Sequence, residues 1–290
     1  MPRRPTVSLL TIVKGRRQHL RNLLRGVTRQ SQLPDEVVIV HMNEEAPTDL
    51  PEPGCPVVQR VINNESDSLP IGRARNLAAG TALGDVLVFL DVDCIPQRDY
   101  VKYMAATART TQGLVMGNAL YLPVDSGRED WTEASLNELA MPHPRRPVID
   151  TGDTVSTDKY YLFWSLCFAV TRNVWNVIGG FDESFRGYSG EDTDLAFAAR
   201  AADIPFYLTD ATAYHQHHNT CSPPYNHLEN IVVNAQVFKK KWGTWPMEGW
   251  LKAFERSGHI RWAEEGEELV ILRRPEQELI DASRSTDPFA

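Results

Sequence analysis

Residues 86–96 read VLVFLDVDCIP, a short apolar run that ends in two acids. The apolar residues predict a buried strand over Asp85–Leu90. Asp91 and Asp93 follow it two positions apart, so in an extended chain both carboxylates point to the same side. Two carboxylates on one face repel each other, and burying either one without a partner is costly. The stretch therefore predicts a positive group or a cation beside these acids.

The segments before this strand predict the fold class. Apolar runs and helical spacing predict three buried strands and two helices, at Thr6–Val13, Glu36–Met42, Val57–Ile62, His19–Gln30 and Ile71–Leu83. Gly84 is expected to end the second helix. This alternation is typical of an α/β fold with a mostly parallel central sheet and helices on both faces. Asp91 and Asp93 would then lie at the carboxyl-terminal edge of the sheet, where ligands bind in such folds.

The second half of the chain contains further elements around a long polar segment. The pattern predicts helices at Arg98–Thr111 and Arg172–Ile178 and strands at Leu114–Tyr121 and Tyr160–Val170. Residues 123–158, here called the polar excursion, are rich in Pro and acids and include MPHPRRP. One short helix is expected there, around Trp131–Ala140. A segment of this length is typical of a binding loop or lid, or of disorder.

Composition limits the class of protein. The 290 residues are 42% hydrophobic and carry a formal net charge of −8, which argues against a nucleic-acid binder. Basic residues do cluster at Arg3-Arg4 and at residues 14–17, so a local anion site is possible there. Four scattered cysteines without a CxxC pair are more typical of free thiols than of disulfides. No apolar stretch approaches the roughly 18 residues of a membrane span, and we expect a soluble cytoplasmic protein.

A second acidic segment lies at residues 179–200, GGFDESFRGYSGEDTDLAFAAR. Glu191, Asp192 and Asp194 precede a helical pattern, where acids in the first turn complement the helix dipole. Three carboxylates in four positions exceed what capping requires. A carboxylate at this place can instead act as a general base toward a hydroxyl.

Histidines and arginines supply candidate partners for the acids. Residues 210–218 read DATAYHQHH, and if the chain is extended His215 and His217 share one face. A lone histidine is more often structural, but this density favours metal ligation, with a divalent cation between Asp91, Asp93 and His215. The helix before the acidic strand contains GRARN, whose side chains are either exposed or donors to phosphate oxygens; they are Arg73, Arg75 and Asn76.

Taken in order, these segments resemble GT-A fold glycosyltransferases of the family 2 type, with a second half similar to the galactosyltransferase family 7 C-terminal module. The matching segments cover about residues 6–220. They are VSLLTIVKGRRQHLRNLLRGVTRQ, Ala74-Arg75-Asn76, Asp91-Val92-Asp93, GGFDESF, Gly190-Glu191-Asp192 and Ala213–Gln216. The resemblance implies one GT-A domain over 1–248, with a nucleotide-sugar half (about 1–97) and an acceptor half (about 98–248). Residues 249–290 would be a C-terminal extension.

The resemblance also implies roles for single residues. Asp93, His215 and Asp91 would bind Mn²⁺ or Mg²⁺, and His217 is a further candidate ligand. Asp192 would be the catalytic base and Glu191 would position a substrate. The nucleotide sugar would contact Thr11, Lys14, Arg16, Asn43, Arg73, Arg75, Asn76, Asp91 and Val92. The acceptor or the sugar would contact Tyr188, Trp164 and Gly190.

Two segments depart from the family pattern. Tyr188-Ser189-Gly190 stands where Trp-Gly-Gly is usual, and His41-Met42-Asn43-Glu44 replaces an acidic-Asn-Gly-Ser run. The implied activity is metal-dependent, inverting transfer from a nucleotide-diphosphate sugar, UDP-hexose or UDP-N-acetylhexosamine, to a hydroxyl of a glycan or other acceptor. Two alternatives are a non-catalytic sugar-nucleotide or carbohydrate-binding module and a DxD-type phosphatase with Asp91 as nucleophile. The sequence indicates neither the acceptor nor the oligomeric state.

Overall fold

The computed structural model describes residues 4–64, 68–126 and 130–289. Arg3 of the N-terminal basic pair and residues 127–129 of the polar excursion lie outside the described residues. In the part of the chain that is described, no helix is both long and apolar enough to cross a membrane. Cys94 and Cys167 are buried free thiols, and Cys55 and Cys221 are partly buried free thiols.

The elements follow in chain order. The first half contains β1 (Val7–Val13), α1 (Arg17–Thr28), β2 (Glu36–Met42), β3 (Val57–Ile62), α2 (Ile71–Thr81), β4 (Val86–Leu90), β5 (Cys94–Pro96), α3 (Tyr100–Thr111) and β6 (Leu114–Tyr121). The middle contains α4 (Glu133–Leu139), β7 (Met141–Pro142), β8 (Thr154–Thr157), β9 (Cys167–Thr171), α5 (Arg172–Ile178), α6 (Glu191–Ala201) and β10 (Phe206–His215). The remainder contains β11 (Thr220–Cys221), α7 (Leu228–Trp242), α8 (Glu248–Arg256), β12 (Ile260–Trp262), β13 (Leu269–Ile271), α9 (Gln277–Ala282) and β14 (Arg284–Ser285).

Within the described residues, ten strands form one sheet. Eight lie in the order β3-β2-β1-β4-β9-β6-β10-β5, while β7 pairs with β6 and β8 pairs with β10. The first four strands are parallel, as is the β6–β10 pair, and β9 runs antiparallel between β4 and β6. The predicted α/β class with a mostly parallel central sheet is confirmed.

The sheet separates two cores. On one face, α1 and α3 pack through side chains such as Leu23 and Met104. On the other face, α2, α5 and α6 pack through side chains such as Ala78 and Leu195. Because both faces are covered, the central strands read as continuous apolar runs rather than as an alternating pattern.

Two local predictions are wrong. The predicted strand Tyr160–Val170 is a 3₁₀ turn at Tyr160–Leu162, and the strand begins only at Cys167. Tyr160 and Leu162–Trp164 pack in the core without belonging to the sheet, whereas Tyr161 is exposed. Gly84 does not end α2, which stops at Thr81. Instead, Gly84 lies against β1, where an added Cβ would be 2.5 Å from Ser8 Oγ and 2.6 Å from Ser8 N.

Residues after β10 form a third packed cluster. Side chains of α7, including Ile231 and Ala235, pack with Leu251 and Phe254 of α8 and with the β12–β13 hairpin. The expected limit between a domain at 1–248 and an extension at 249–290 falls inside this cluster. That division stays a prediction.

Candidate active site

Arg75 joins the acidic strand end to the start of α6. Its Nη2 donates to Asp91 Oδ1 at 2.9 Å, and its Nη1 donates to Glu191 Oε1 at 3.1 Å. Arg75 is 5% exposed. Burial opposes its charge, but Asp91 and Glu191 more than offset this and raise the pKa of Arg75. One guanidinium therefore brings together acids that are 100 positions apart in the chain.

Asp93 has a separate set of partners. Arg16 Nη1 donates to its Oδ2. His215 Nε2 lies 3.6 Å from Oδ1, and His218 Nε2 lies 3.4 Å from Oδ2. Burial opposes ionisation of Asp93, but His215, Arg16 and His218 hold its pKa well below the usual range. The positive group beside Asp91 is thus Arg75 and the one beside Asp93 is Arg16, with the imidazoles of His215 and His218 as further neighbours of Asp93.

Strand pairing places His215 beside Asp93. The antiparallel pairing of β10 with β5 sets His215 opposite Cys94, the residue after Asp93. The Gln216 amide then donates to the Asp93 carbonyl at 2.6 Å. These backbone contacts fix the imidazole next to the carboxylate without requiring any bond between the side chains.

Asp93, His215 and His218, here called the Asp-His-His group, could hold a divalent metal. One candidate ligand atom from each lies within 4.8 Å of the others. Burial lowers the pKa of His215 to about 4, so its imidazole is neutral at pH 7, the form that binds metals. A carboxylate and two imidazoles fit a transition metal such as Mn²⁺ better than Mg²⁺, which prefers oxygen ligands and water.

His217, which the sequence suggested as a further metal ligand, lies outside this group. Its neighbour His218 belongs to the group instead. The strand β10 ends at His215, so the alternation assumed for 213–217 stops there. His217 Nε2 lies 3.1 Å from the Thr286 carbonyl instead. The segment HQHH contains His218, but only the end of β10 at His215 shows that His218, rather than His217, turns toward Asp93.

The three acids of α6 have different surroundings. Glu191 is buried, and its Oε2 has no hydrogen-bond partner among the described residues. Burial, and then the charge of Asp192, raise the pKa of Glu191 to about 7. Asp192 is half-buried; burial raises its pKa, while its Oδ1 accepts from the Thr193 amide at 2.7 Å. Asp194 accepts from Trp242 Nε1 at 2.7 Å and from Lys241 Nζ at 2.9 Å, which gives it a structural role.

The turn before α6 is left-handed. Ser189 has φ 86° and Gly190 has φ 87°, a conformation that favours glycine. Asn234 of α7 supports this turn by donating to the carbonyls of Arg186, Tyr188 and Ser189 at 2.9, 3.3 and 2.7 Å. Tyr188 is 41% exposed and stacks on His227, with ring centroids 4.6 Å apart.

Several side chains predicted to contact the nucleotide sugar lie near the first strand ends. Thr11 is buried, and its Oγ1 lacks a hydrogen-bond partner in the described chain. Lys14 Nζ donates to the Asn43 carbonyl. Asn43 has φ 50°, and its Oδ1 accepts from the Asn64 amide at 2.7 Å.

Other predicted contacts are not brought to the acids. The exposed Arg73 faces Glu183 at 3.7 Å. Asn76 binds the Phe181 backbone in both directions at 2.9 Å, so it holds the loop before α6 rather than a ligand. The Val92 side chain packs in the core.

Trp164 belongs to an aromatic wall with Tyr121 and His143. The rings of Trp164 and His143 are 4.8 Å apart, and those of His143 and Tyr121 are 5.3 Å apart. Tyr121 also contacts His215 at 4.7 Å. The wall therefore reaches from Trp164 to the Asp-His-His group. Sequence reasoning missed Tyr121 and His143, because neither lies near a recognisable motif.

Comparison with known proteins gives three further findings. A sequence profile of the family described as "Glycosyltransferase like family 2" matches residues 57–232. The chain is 26% identical over 227 residues to the O-antigen biosynthesis protein RfbC of Myxococcus xanthus. That match covers 75% of this chain but only 18% of the relative's length.

Solved structures share the fold. S. aureus TarS superposes with a TM-score of 0.52 and 16% identity, covering 81% of this chain and 40% of that chain. The structure of GalNAc-T7 with UDP, GalNAc and Mn²⁺ gives a TM-score of 0.52 and 13% identity, covering 89% and 58%. These likenesses confirm the predicted GT-A fold.

Proposed function

The chain belongs to the glycosyltransferase-like family 2 and is a glycosyltransferase, and from that premise we propose that it is a metal-dependent, inverting one. The donor would be a nucleotide-diphosphate sugar, UDP-hexose or UDP-N-acetylhexosamine. The acceptor would present a hydroxyl of a glycan or another molecule. Residues 1–97 would bind the donor, and residues from about 98 onward would bind the acceptor.

The Asp-His-His group is the observation that carries this proposal. Its three ligand atoms come from the residue before β5, from the end of β10 and from the residues after β10, and all lie within 4.8 Å of one another. A bound Mn²⁺ or Mg²⁺ would neutralise charge on the departing nucleoside diphosphate. GalNAc-T7, which shares the fold, has been solved with UDP and Mn²⁺, which supports a UDP-sugar and a metal here.

Asp192 is the proposed general base. It would accept the proton of the acceptor hydroxyl as that oxygen bonds to the anomeric carbon and the bond to the diphosphate oxygen breaks. A raised pKa makes a carboxylate a stronger base, which suits this role. Attack opposite the leaving group inverts the configuration in a single displacement.

Glu191 and Arg75 would position the reactants. Arg75 fixes one oxygen of Glu191 at 3.1 Å, and the other oxygen, Oε2, is buried without a partner in the described residues. A buried unpaired acceptor is costly, so a substrate hydroxyl is a fitting donor for it. Asp91, held by the same Arg75, would face the ribose or the donor sugar.

The two alternatives from the sequence are weaker. The family is one of transferases, which argues against a phosphatase with Asp91 as nucleophile. A non-catalytic module on the same fold would bind the donor without turnover, and the following experiment separates it from an enzyme.

Asp192→Asn should stop transfer and spare donor binding. With Mn²⁺ and a panel of UDP- and GDP-sugars, we expect the wild type to release nucleotide slowly to water and faster with a glycan acceptor. Loss of a general base should lower the acceptor-dependent rate by about 10²–10⁴-fold. Affinity for UDP with Mn²⁺, measured by calorimetry, should stay within about twofold.

Asp203→Asn is the matched control, since Asp203 is exposed just beyond the other end of α6. It should behave as the wild type. If Asp192→Asn also loses UDP binding, Asp192 is structural. If the wild type binds donors but turns over none of them, the binding-module alternative is correct.

A further inference from the structure

Arg146, in the polar excursion, is a shielded cation with an unused donor edge. Its Nη1 donates to the Gly117 carbonyl at 3.3 Å, and its guanidinium lies over the Trp164 ring at 4.4 Å. Its Nε and Nη2 are closed off from solvent, and neither has a hydrogen-bond partner within the described residues. Nε and Nη2 form one side of the guanidinium and present two parallel N–H groups.

This arrangement is costly unless something else completes it. Over residues 4–64, 68–126 and 130–289, Arg146 has no carboxylate within ion-pair distance, and burial lowers its pKa. Leaving buried N–H groups unpaired costs free energy for each group, and more when the group is charged. The stacking on Trp164 recovers part of this but satisfies no N–H group. Two parallel N–H groups match the two oxygens of a carboxylate or a phosphate, so an oxyanion is the partner that would satisfy both of them.

The position of Arg146 places that oxyanion beside the candidate active site. Trp164, which it covers, is one end of the aromatic wall that continues through His143 and Tyr121 to His215. Burial has the largest effect on the pKa of Arg146 and lowers it, while the charge of Asp192, the proposed base, is one of the smaller effects that raise it. A ligand bound by Arg146 and lying along the wall would therefore extend toward both the base and the Asp-His-His group.

We propose that Arg146 binds an anionic group of the acceptor, so that the acceptor is a glycan or polyol bearing a carboxylate or a phosphate. This inference rests on the proposed function. It names an acceptor class that neither the family nor the motifs specify. An acceptor on the wall would take the place of Phe289, whose ring packs on Tyr121 at 5.6 Å and on His143 at 5.4 Å.

The donor diphosphate is the other source of an oxyanion, and the structure favours the acceptor. Arg16 contacts the Asp-His-His group directly, and Lys14 lies on the same strand-to-helix loop. The donor side therefore has cations of its own. Arg146 comes from the polar excursion, which connects β6 to β9 in the proposed acceptor half.

The test compares charged and neutral probes on three proteins. The proteins are the wild type, Arg146→Met, and Arg145→Met as a matched control, since Arg145 is the exposed neighbour. The probes are glucuronate against glucose and glycerol 3-phosphate against glycerol, at constant ionic strength with saturating Mn²⁺ and UDP. Affinity is read by calorimetry, and UDP affinity is measured separately on each protein.

We expect the wild type and Arg145→Met to bind at least one charged probe about tenfold or more tightly than its neutral counterpart. Arg146→Met should lose that preference and keep its UDP affinity. Arg146→Lys keeps the charge but not the two parallel N–H groups, so it should retain only part of the preference. This variant replaces Arg146→Met in the test if Arg146→Met does not fold.

Three results would overturn the proposal. These are no charge preference in the wild type, an unchanged preference in Arg146→Met, or a loss of UDP affinity in Arg146→Met that equals its loss for the charged probes. The last result would assign the oxyanion to the donor. Because these readings need no turnover, failure of the transfer assay with the preference intact would count against the proposed function alone.

Discussion

At the scale of single residues, the two aspartates after β4 differ because their partners differ. Asp91 shares Arg75 with Glu191, whereas Asp93 is surrounded by Arg16 and two imidazoles. Burial raises the pKa of Asp91, whereas at Asp93 the contacts with His215, Arg16 and His218 outweigh burial and lower the pKa. Identical side chains two positions apart are thus suited to different tasks, one to hydrogen bonding and the other to metal binding.

Glu191→Gln should remove the part of the pH dependence of the unfolding free energy that comes from the titration of Glu191. The ordinary glutamate value is 4.5 and the folded value is about 7, so the folded state holds the proton more tightly than the unfolded state does. The contribution of Glu191 to stability is complete below pH 4.5 and is lost as the pH rises to 7. The loss relative to Glu191→Gln should total roughly 3–4 kcal/mol, at about 1.4 kcal/mol per pH unit. Urea unfolding at several pH values measures it.

The exposed Glu138 offers a control for this experiment. Glu138→Gln should follow the wild-type pH profile throughout. A constant difference between Glu191→Gln and the wild type from pH 4.5 to 8 would show that Glu191 titrates normally, which contradicts the prediction.

The sequence predicted part of this residue-level picture. Arg75 was identified with Arg73 and Asn76, but only the helix phase decides which of the three side chains turns toward the acids. His215 was identified and His218 was not, because the end of β10 depends on its pairing with β5 and β6. The sequence did not single out Arg146, because the observation that its buried N–H groups lack a partner requires the three-dimensional structure.

At the scale of elements, α7 holds the turn that precedes α6. Asn234 is fully buried, and its amide donates to three carbonyls while its Oδ1 accepts from the Arg186 amide at 2.9 Å. This one side chain therefore satisfies four backbone groups of a left-handed loop. The position of Glu191 and Asp192 depends on it.

Asn234→Ala should destabilise the protein and impair transfer together. Leaving buried carbonyls and an amide unpaired should cost about 3 kcal/mol in urea unfolding. Donor turnover should fall further than the folded fraction explains, because the start of α6 loses its support. Asn173→Ala, at an exposed position of α5, is the control. Normal turnover by folded Asn234→Ala would show that the turn holds its shape unaided.

Element prediction succeeded where burial on both faces gives continuous apolar runs. The bounds predicted for β2, β3, β6 and α5 match the structure. It failed at Tyr160–Val170, since an apolar run can fill the core as a turn as well as a strand. The pattern of apolar residues predicts which side chains are buried. It does not predict whether their backbone pairs with a neighbouring strand.

At the scale of the whole molecule, the Asp-His-His group ties the two halves of the chain together. A metal that binds only the folded state should therefore stabilise the fold, by about 2.7 kcal/mol at 100 times its dissociation constant. We expect Mn²⁺ to raise the melting temperature of the wild type reversibly with EDTA. His218→Ala should lose most of this rise.

The adjacent histidine provides the control for that measurement. His217 lies outside the group and contacts the Thr286 carbonyl, so His217→Ala should keep the Mn²⁺-dependent rise. If His217→Ala loses the Mn²⁺-dependent rise and His218→Ala keeps it, His217 rather than His218 is the ligand. If Mn²⁺ and other divalent cations stabilise neither the wild type nor His217→Ala, the group is not a metal site.

The overall fold followed from the sequence more fully than the site did. The order of strands and helices up to β4 is local information, and the resemblance extended it to the whole domain. The packing of α8 and the β12–β13 hairpin on α7 was not predicted, because short apolar segments such as LVIL do not reveal what they contact.

The bridge formed by Arg75 also limits how this protein can diverge. Loss of the Asp91 carboxylate leaves part of a buried guanidinium unpaired, and loss of the arginine leaves buried acids without their counter-charge; each such break costs about 3–5 kcal/mol. A single substitution at Asp91 or Arg75 can therefore remove a large part of the about 5–15 kcal/mol by which a typical domain is stable. We therefore expect Asp91 and Arg75 to be replaced together, by a pair that is again complementary in charge or by two apolar residues, rather than one at a time.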